Sequence, residues 1–140
     1  LPLPDAIAIG YARPLPSGAV IHARISTVHL ESMTAAEHYA IIRPGLMNRL
    51  PEARVISEGP RKLKRFPNAK GWNGTFSGGA QGAETVALVT VDFGYWSMRL
   101  RALFPSAEGK AAESAIGGLV DGLNWRPLEI APSPLGAPGG

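Results

Sequence analysis

Three histidines and a few carboxylates are the residues of this chain best suited to chemistry. His29, Glu31, Glu37 and His38 fall close together, where a strand reading gives way to a helix reading. Imidazoles and carboxylates together are a donor set for a divalent cation. Their spacing matches no established metal site, and Glu37 has a second use as a helix cap. The expectation is therefore exposed junction residues, with no metal and no cofactor. Nucleophilic catalysis needs a nucleophile with a base and an orienting acid. The chain has no cysteine, and no serine stands in a G-x-S-x-G elbow. Gly78-Gly79-Ala80-Gln81-Gly82 has the glycine content of a phosphate loop. It lacks the Gly-Lys-Ser/Thr ending, and it joins two strands rather than opening a helix. Glu58 and Asp92 are the best pair for glycosidic chemistry, yet nothing in the sequence brings them together. No catalytic set emerges, so the reading is a non-enzyme, with an enzyme of unrecognised type kept as an alternative.

Positive charge is more telling. Arg61-Lys62-Leu63-Lys64-Arg65, with Lys70 and Trp72 nearby, is the densest basic stretch. It could grip phosphates or anionic lipid head groups, with Trp72 stacking or anchoring. Lysines beside an edge strand also guard against edge pairing, and Trp72 shares a parity with Phe76 that suits a core. A second cationic set comes from strand alternation. If Trp96, Met98, Leu100 and Ala102 face the helices, then Ser97, Arg99 and Arg101 face the other way. Likewise Ile21, Ala23 and Ile25 share one face, and His22, Arg24 and Ser26 the other. Should the two strands be neighbours, an uncovered sheet face carries an Arg/His patch, flanked by Tyr95 with Tyr11 a further candidate. Arginine and tyrosine combine contact area with directed hydrogen bonds, which suits an interface. A solvated antiparallel face would show the same alternation. The candidate partner-binding residues are thus Arg99, Arg101, His22, Arg24 and Tyr95. Arg61, Lys62, Lys64 and Arg65 are the candidate anionic-surface contacts.

The elements that must position these groups can be read in order. Ala6 to Arg13 and Ala19 to Leu30 read as two strands around the turn Pro14-Leu15-Pro16-Ser17-Gly18. Thr34-Ala35-Ala36-Glu37 is a capping box that opens a helix. Pro44 should break or kink that helix near Arg43, leaving a short second piece with Leu46, Met47 and Leu50. Arg54 to Leu63 is a strand interrupted at Gly59-Pro60, and Pro60 assigns it to an edge or a bulge. Gly71 to Phe76 is the next strand. The hairpin Val86 to Val91, Asp92-Phe93-Gly94, Tyr95 to Phe104 follows. A helix from about Glu108 to Leu123 closes the domain, with Ala112, Ile116, Leu119 and Leu123 on one stripe. Gly117-Gly118 weakens it unless it packs very closely there.

At 140 residues the chain fits one domain, 1–125, with a Pro/Gly-rich tail over 126–140. No apolar run approaches the roughly 18 residues of a bilayer span, so no transmembrane span is expected. The net charge of +3 is far from a nucleic-acid footprint. Leu1 in first place fits removal of a leader or trimming, and the expectation is a periplasmic or extracellular protein, with a cytoplasmic place left open. Consecutive antiparallel strands and segregated helices give an α+β class: about six strands with two main helices, the second C-terminal, one sheet face taking the helices.

The order resembles the PsbP-like and DcrB-like group, which shares its fold with the Ran-binding Mog proteins. The opening hairpin, the Thr34-capped helix, Gly71-Trp72, the strand Tyr95 to Phe104 and the ending Leu123-Asn124-Trp125 carry the resemblance, over about Ala6 to Trp125. It implies a small non-catalytic domain: an extrinsic subunit, an envelope lipoprotein, or a chaperone or adaptor. No catalytic residue or photosystem metal site can be carried over. The expected function is binding or assembly on a larger protein complex, with peripheral membrane association open. The alternative is a small-molecule or lipid carrier with a cavity near Trp72, Trp96 and Trp125.

Overall fold

The computed structural model describes residues 6–29, 34–64, 69–92 and 96–122. Arg65, Tyr95, Glu31, the turn residues Phe93 and Gly94, Leu123 to Trp125 and the tail lie outside them. The chain runs β1 (Ala6–Pro14), β2 (Val20–His29), α1 (Ala35–Arg49), β3 (Arg54–Lys62) and β4 (Lys70–Gly78). It continues through β5 (Glu84–Asp92), β6 (Trp96–Pro105) and α2 (Gly109–Gly122). One-turn 3-10 helices at Ala80–Gly82 and Ser106–Glu108 flank β5 and β6. All pairings are antiparallel, in the order β1-β2-β6-β5-β4-β3. The α+β expectation holds, down to six strands and a C-terminal second helix. β3 is an edge strand bulged between Val55 and Ser57, and its pairing runs on through Gly59 and Pro60 without the expected interruption.

The two helices do not share a face. Along β5, Leu88 packs with Tyr39, Leu46 and Leu50 at the α1 side. Val89 and Val91, of opposite parity, pack with Ala112, Ile116 and Val120 of α2. Successive side chains of a strand point to opposite faces, so α1 and α2 sandwich the sheet. This corrects the expectation of one helix-bearing face. The sign was present in β5 itself, where Val86-Ala87-Leu88-Val89 is apolar at both parities, as strands covered on both sides are.

Helix α1 also runs unbroken through Pro44. Proline removes the hydrogen bond to the carbonyl four residues back, here that of Ala40. Ala40 and Pro44 are both exposed, so water can take the freed carbonyl. Beyond Pro44, Leu46 joins the buried cluster of Leu88 and Phe76, and a set of polar contacts holds the first half. Thr34 caps the start, its hydroxyl accepting from the Glu37 amide at 3.1 Å while Glu37 accepts from the Thr34 amide. Thr90 of β5 donates to the Ala35 carbonyl at 2.8 Å. Further along, Tyr39 donates to Glu58 at 2.6 Å and Arg43 grips both oxygens of the same carboxylate, at 2.7 and 3.0 Å. The Arg43 guanidinium also lies 5.7 Å from the Phe76 ring centre. Gly74 makes this possible, because a Cβ there would overlap the Tyr39 hydroxyl.

Candidate functional site

The register sets the cationic residues side by side. Arg24 of β2 stands directly opposite Arg101 of β6, and His22 opposite Leu103 one step along on the same face. Across β5 the same rows continue through Leu88 and Val86, which fixes this as the α1 face. α1 packs chiefly on β4 and β5, so among the described residues no helix lies over the β6-β2-β1 half, although Ser97 and Arg99 at one end of β6 are buried and half-buried. Between that half and the C-terminal end of α1 lies a concavity of about 630 Å³. His22, Arg24 and Arg101 line its floor, Gly10 and Ala12 of β1 its outer side, and Leu46, Arg49 and Leu50 its wall. Glu84 is the one carboxylate among the described residues of its lining.

Three guanidinia therefore converge on one hollow, two of them as a direct cross-strand pair. Like charges in that relation repel. Burial, then the neighbouring charges of Arg99, Arg49 and Arg24, push the Arg101 pKa down. Among the described residues the salt bridge is Arg43–Glu58. Arg24, Arg49 and Arg101 have no carboxylate partner there. The arrangement can hold an anion, and its lining holds no set of nucleophile, base and orienting acid.

The sequence thus located His22, Arg24 and Arg101 correctly on one surface, but that surface is half covered rather than open. Arg99 does not line the concavity. It is half-buried and acts electrostatically on His38 of α1. Sequence reasoning missed Arg49. It stands three residues past Leu46 on the inward stripe of α1, which runs through Ala35, His38, Ile42 and Leu46, so helical spacing could have found it.

His38 itself departs from expectation. It is 2% exposed rather than a solvated junction residue. Neither ring nitrogen has a hydrogen-bond partner among the described residues, nor has the buried Ser97 hydroxyl. Burial foremost, and then Arg99, lower its pKa to about 4. A group of three or more metal-ligating side chains does not occur among the described residues.

The basic stretch divides. Lys62 and Lys64 are exposed, while Arg61 lies on the α2 side, its guanidinium within 3.5 Å of where a Gly117 Cβ would stand. The Lys64 amide donates to Asp121 of α2 at 3.1 Å. Arg61, Lys62, Lys64 and Lys70 rim a second hollow of about 720 Å³ beside Trp72 and the start of α1. Trp72 is half-buried and tilted against Tyr39, with ring centres 6.4 Å apart. Glu58 and Asp92 stay apart. Two strands and four residues separate them in register, roughly 16 Å between Cα atoms from strand geometry. The register does not bring this pair together, and Glu58 is engaged with Arg43.

No protein-family model matches the chain, and no curated protein does. Among solved structures it is similar to PA94 of Pseudomonas aeruginosa, a protein of unknown function offered as a candidate regulator. The TM-score is 0.65 at 12% identity, over 89% of this chain and 87% of that one. At that identity the likeness speaks for the fold alone.

Proposed function

We propose that this chain is a non-catalytic docking module whose half-covered sheet face receives an acidic segment of a partner protein. The supporting observation is the convergence of Arg24, Arg49 and Arg101 on one hollow, where no ion pair engages them among the described residues and Glu84 is the one described carboxylate of the lining. Cations held together at a cost in folding energy are what an anionic partner repays, and arginine is the residue suited to bidentate carboxylate capture. The apolar wall from Leu46 and Leu50 adds contact area beside the charge. The same proposal keeps an extrinsic or adaptor role in the envelope, and the kinship with the PsbP-like and DcrB-like group that the element order suggested.

Fluorescence anisotropy with a labelled deca-glutamate and a labelled deca-lysine tests this. The acidic peptide should bind, more weakly as salt rises, and the Arg24→Glu/Arg101→Glu protein should lose it by at least tenfold. Lys62→Glu/Lys64→Glu should change binding less than threefold. Equal binding of both peptides, or a stronger effect of the lysine pair, would overturn the assignment. Displacement by micromolar phosphate or citrate would instead mark a small-anion carrier.

A further inference from the structure

The half of the α1 face over which no described helix lies ends at a strand edge. β1 is the first strand of the sheet, and among the described residues nothing pairs with its outer side. An unpaired edge carries free backbone donors and acceptors and is a template for another strand. The opposite edge is defended: β3 carries Pro60, a bulge at Val55/Ser57 and the charges Arg54, Glu58, Arg61 and Lys62. β1 has none of these devices until Arg13 and Pro14 at its end. Long apolar edges without a charge or proline invite pairing.

The residues of β1 in register with the arginine rows are small. Gly10 is opposite Arg24, Ala12 opposite His22, and Ala8 opposite Ser26. Across one strand of small residues, an added strand would place its upward side chains about 10 Å from the β2 backbone. A fully extended arginine covers much of that span, and a glutamate on the added strand covers the rest. Edge, trough and cations thus act on one occupant in complementary ways.

Resting on the docking reading above, we infer that the acidic segment binds as a seventh strand on β1, with alternate carboxylates turned over Gly10 and Ala12 toward Arg24 and its neighbours. Main-chain hydrogen bonds supply affinity in such strand addition, and alternate side chains supply selectivity. The partner is then an extended peptide with acidic residues at every second position.

The test uses the full chain and a fluorescein-labelled peptide of five Val-Glu repeats. Two further peptides carry N-methyl groups on every valine or on every glutamate. In a strand, alternate amides point to opposite edges, so one methylated series blocks the edge facing β1 and the other does not. The expected result is at least tenfold loss for one series and less than threefold for the other, with Arg24→Glu/Arg101→Glu weakening the parent peptide. If both methylated peptides bind like the parent while charge reversal still weakens it, strand addition is wrong and docking by charge survives. If the asymmetry persists in the reversed protein at unchanged affinity, the edge binds and the charge reading falls. If the parent peptide does not bind while deca-glutamate does, strand addition fails and docking by charge survives; if neither binds, both fail.

Discussion

Replacing His38 with leucine should remove most of the pH dependence of stability between pH 6.5 and 4.5. The imidazole is 2% exposed, with both nitrogens unpartnered among the described residues. Folding lowers its pKa from 6.5 to about 4, through burial first and the Arg99 charge second. In the unfolded chain the ring takes its proton near pH 6.5, and in the folded chain only near pH 4. Between those values the unfolded state holds more protons, so stability falls as pH falls, and above 6.5 the effect vanishes. The full difference of about 2.5 pKa units corresponds to about 3 kcal/mol, at 1.36 kcal/mol per unit. That is a large share of the roughly 5–15 kcal/mol by which domains of this size are stable. Glu58 adds a separate acid dependence. Its pKa is held down chiefly by the Arg43 hydrogen bonds, and its contribution is lost as pH falls below 4.5. Urea unfolding of both proteins at half-unit steps from pH 7.5 to 4.5 separates the two. The parent should lose about 2.5 kcal/mol across that range, while His38→Leu stays nearly flat and is at least as stable at pH 7.5. Parallel curves would refute the reasoning. So would a loss above 1 kcal/mol for the variant at pH 7.5, since the ring nitrogens would then be engaged.

Arg24→Glu should raise stability by about 0.5–1 kcal/mol, because it turns the repulsive pair with Arg101 into an attractive one. A thermal melt showing loss would mean the guanidinia do not repel. Gly74→Ala should cost on the order of 2–3 kcal/mol, since the added Cβ meets the Tyr39 hydroxyl and breaks its bond to Glu58. A neutral result in urea unfolding would show that α1 is not seated by that contact. Gly118→Ala should stabilise α2 by about 1 kcal/mol, as a Cβ there meets nothing within 4 Å. No gain in melting temperature would contradict the open packing at this turn.

Local signals in the sequence were sufficient wherever one element decides the outcome. Alternation in Val20–His29 and Trp96–Pro105 put Arg24 and Arg101 on one parity, and the register made them direct neighbours. The capping box at Thr34 formed as read. What local pattern does not contain is the side of the sheet a helix takes. Parity says which residues share a face, and the both-parity apolar run of β5 was the one clue that two faces were covered. The break expected at Pro44 does not occur for the same reason. The rule about proline is local, while the exposure of Ala40 and the Arg43–Glu58 bridge are tertiary. His38 and Arg49 lay on the inward stripe of α1 but were polar, and polar residues on a stripe are easily assigned to solvent. Glycines 117 and 118 were read as either closely packed or weakening, and the nearest contact to either is Arg61 at 3.5 Å, so they weaken the helix.

That no described helix lies over β6, β2 and β1 on the α1 face follows from the geometry of the crossover. β2 is second in the sheet and β3 is last, so the connection between them must pass over the α1 face. A helix about 10 Å wide covers about two strands at 4.8 Å spacing, and α1 settles on β4 and β5. Among the described residues that leaves β3 on one side, and β6, β2 and β1 on the other, without a helix over them. A sheet that needed only to be soluble there could alternate lysine, glutamate and threonine. This one instead sets Arg24 against Arg101, brings Arg49 over them from the last turn of α1, and thins β1 to Ala8, Gly10 and Ala12 beside an undefended edge. The helix C-terminus eases the Arg49 charge but does nothing for the cross-strand pair. Each choice costs the isolated chain stability or solubility. An extended acidic strand on β1 would close the edge and meet Arg24, whereas a compact anion in the hollow would leave the edge open.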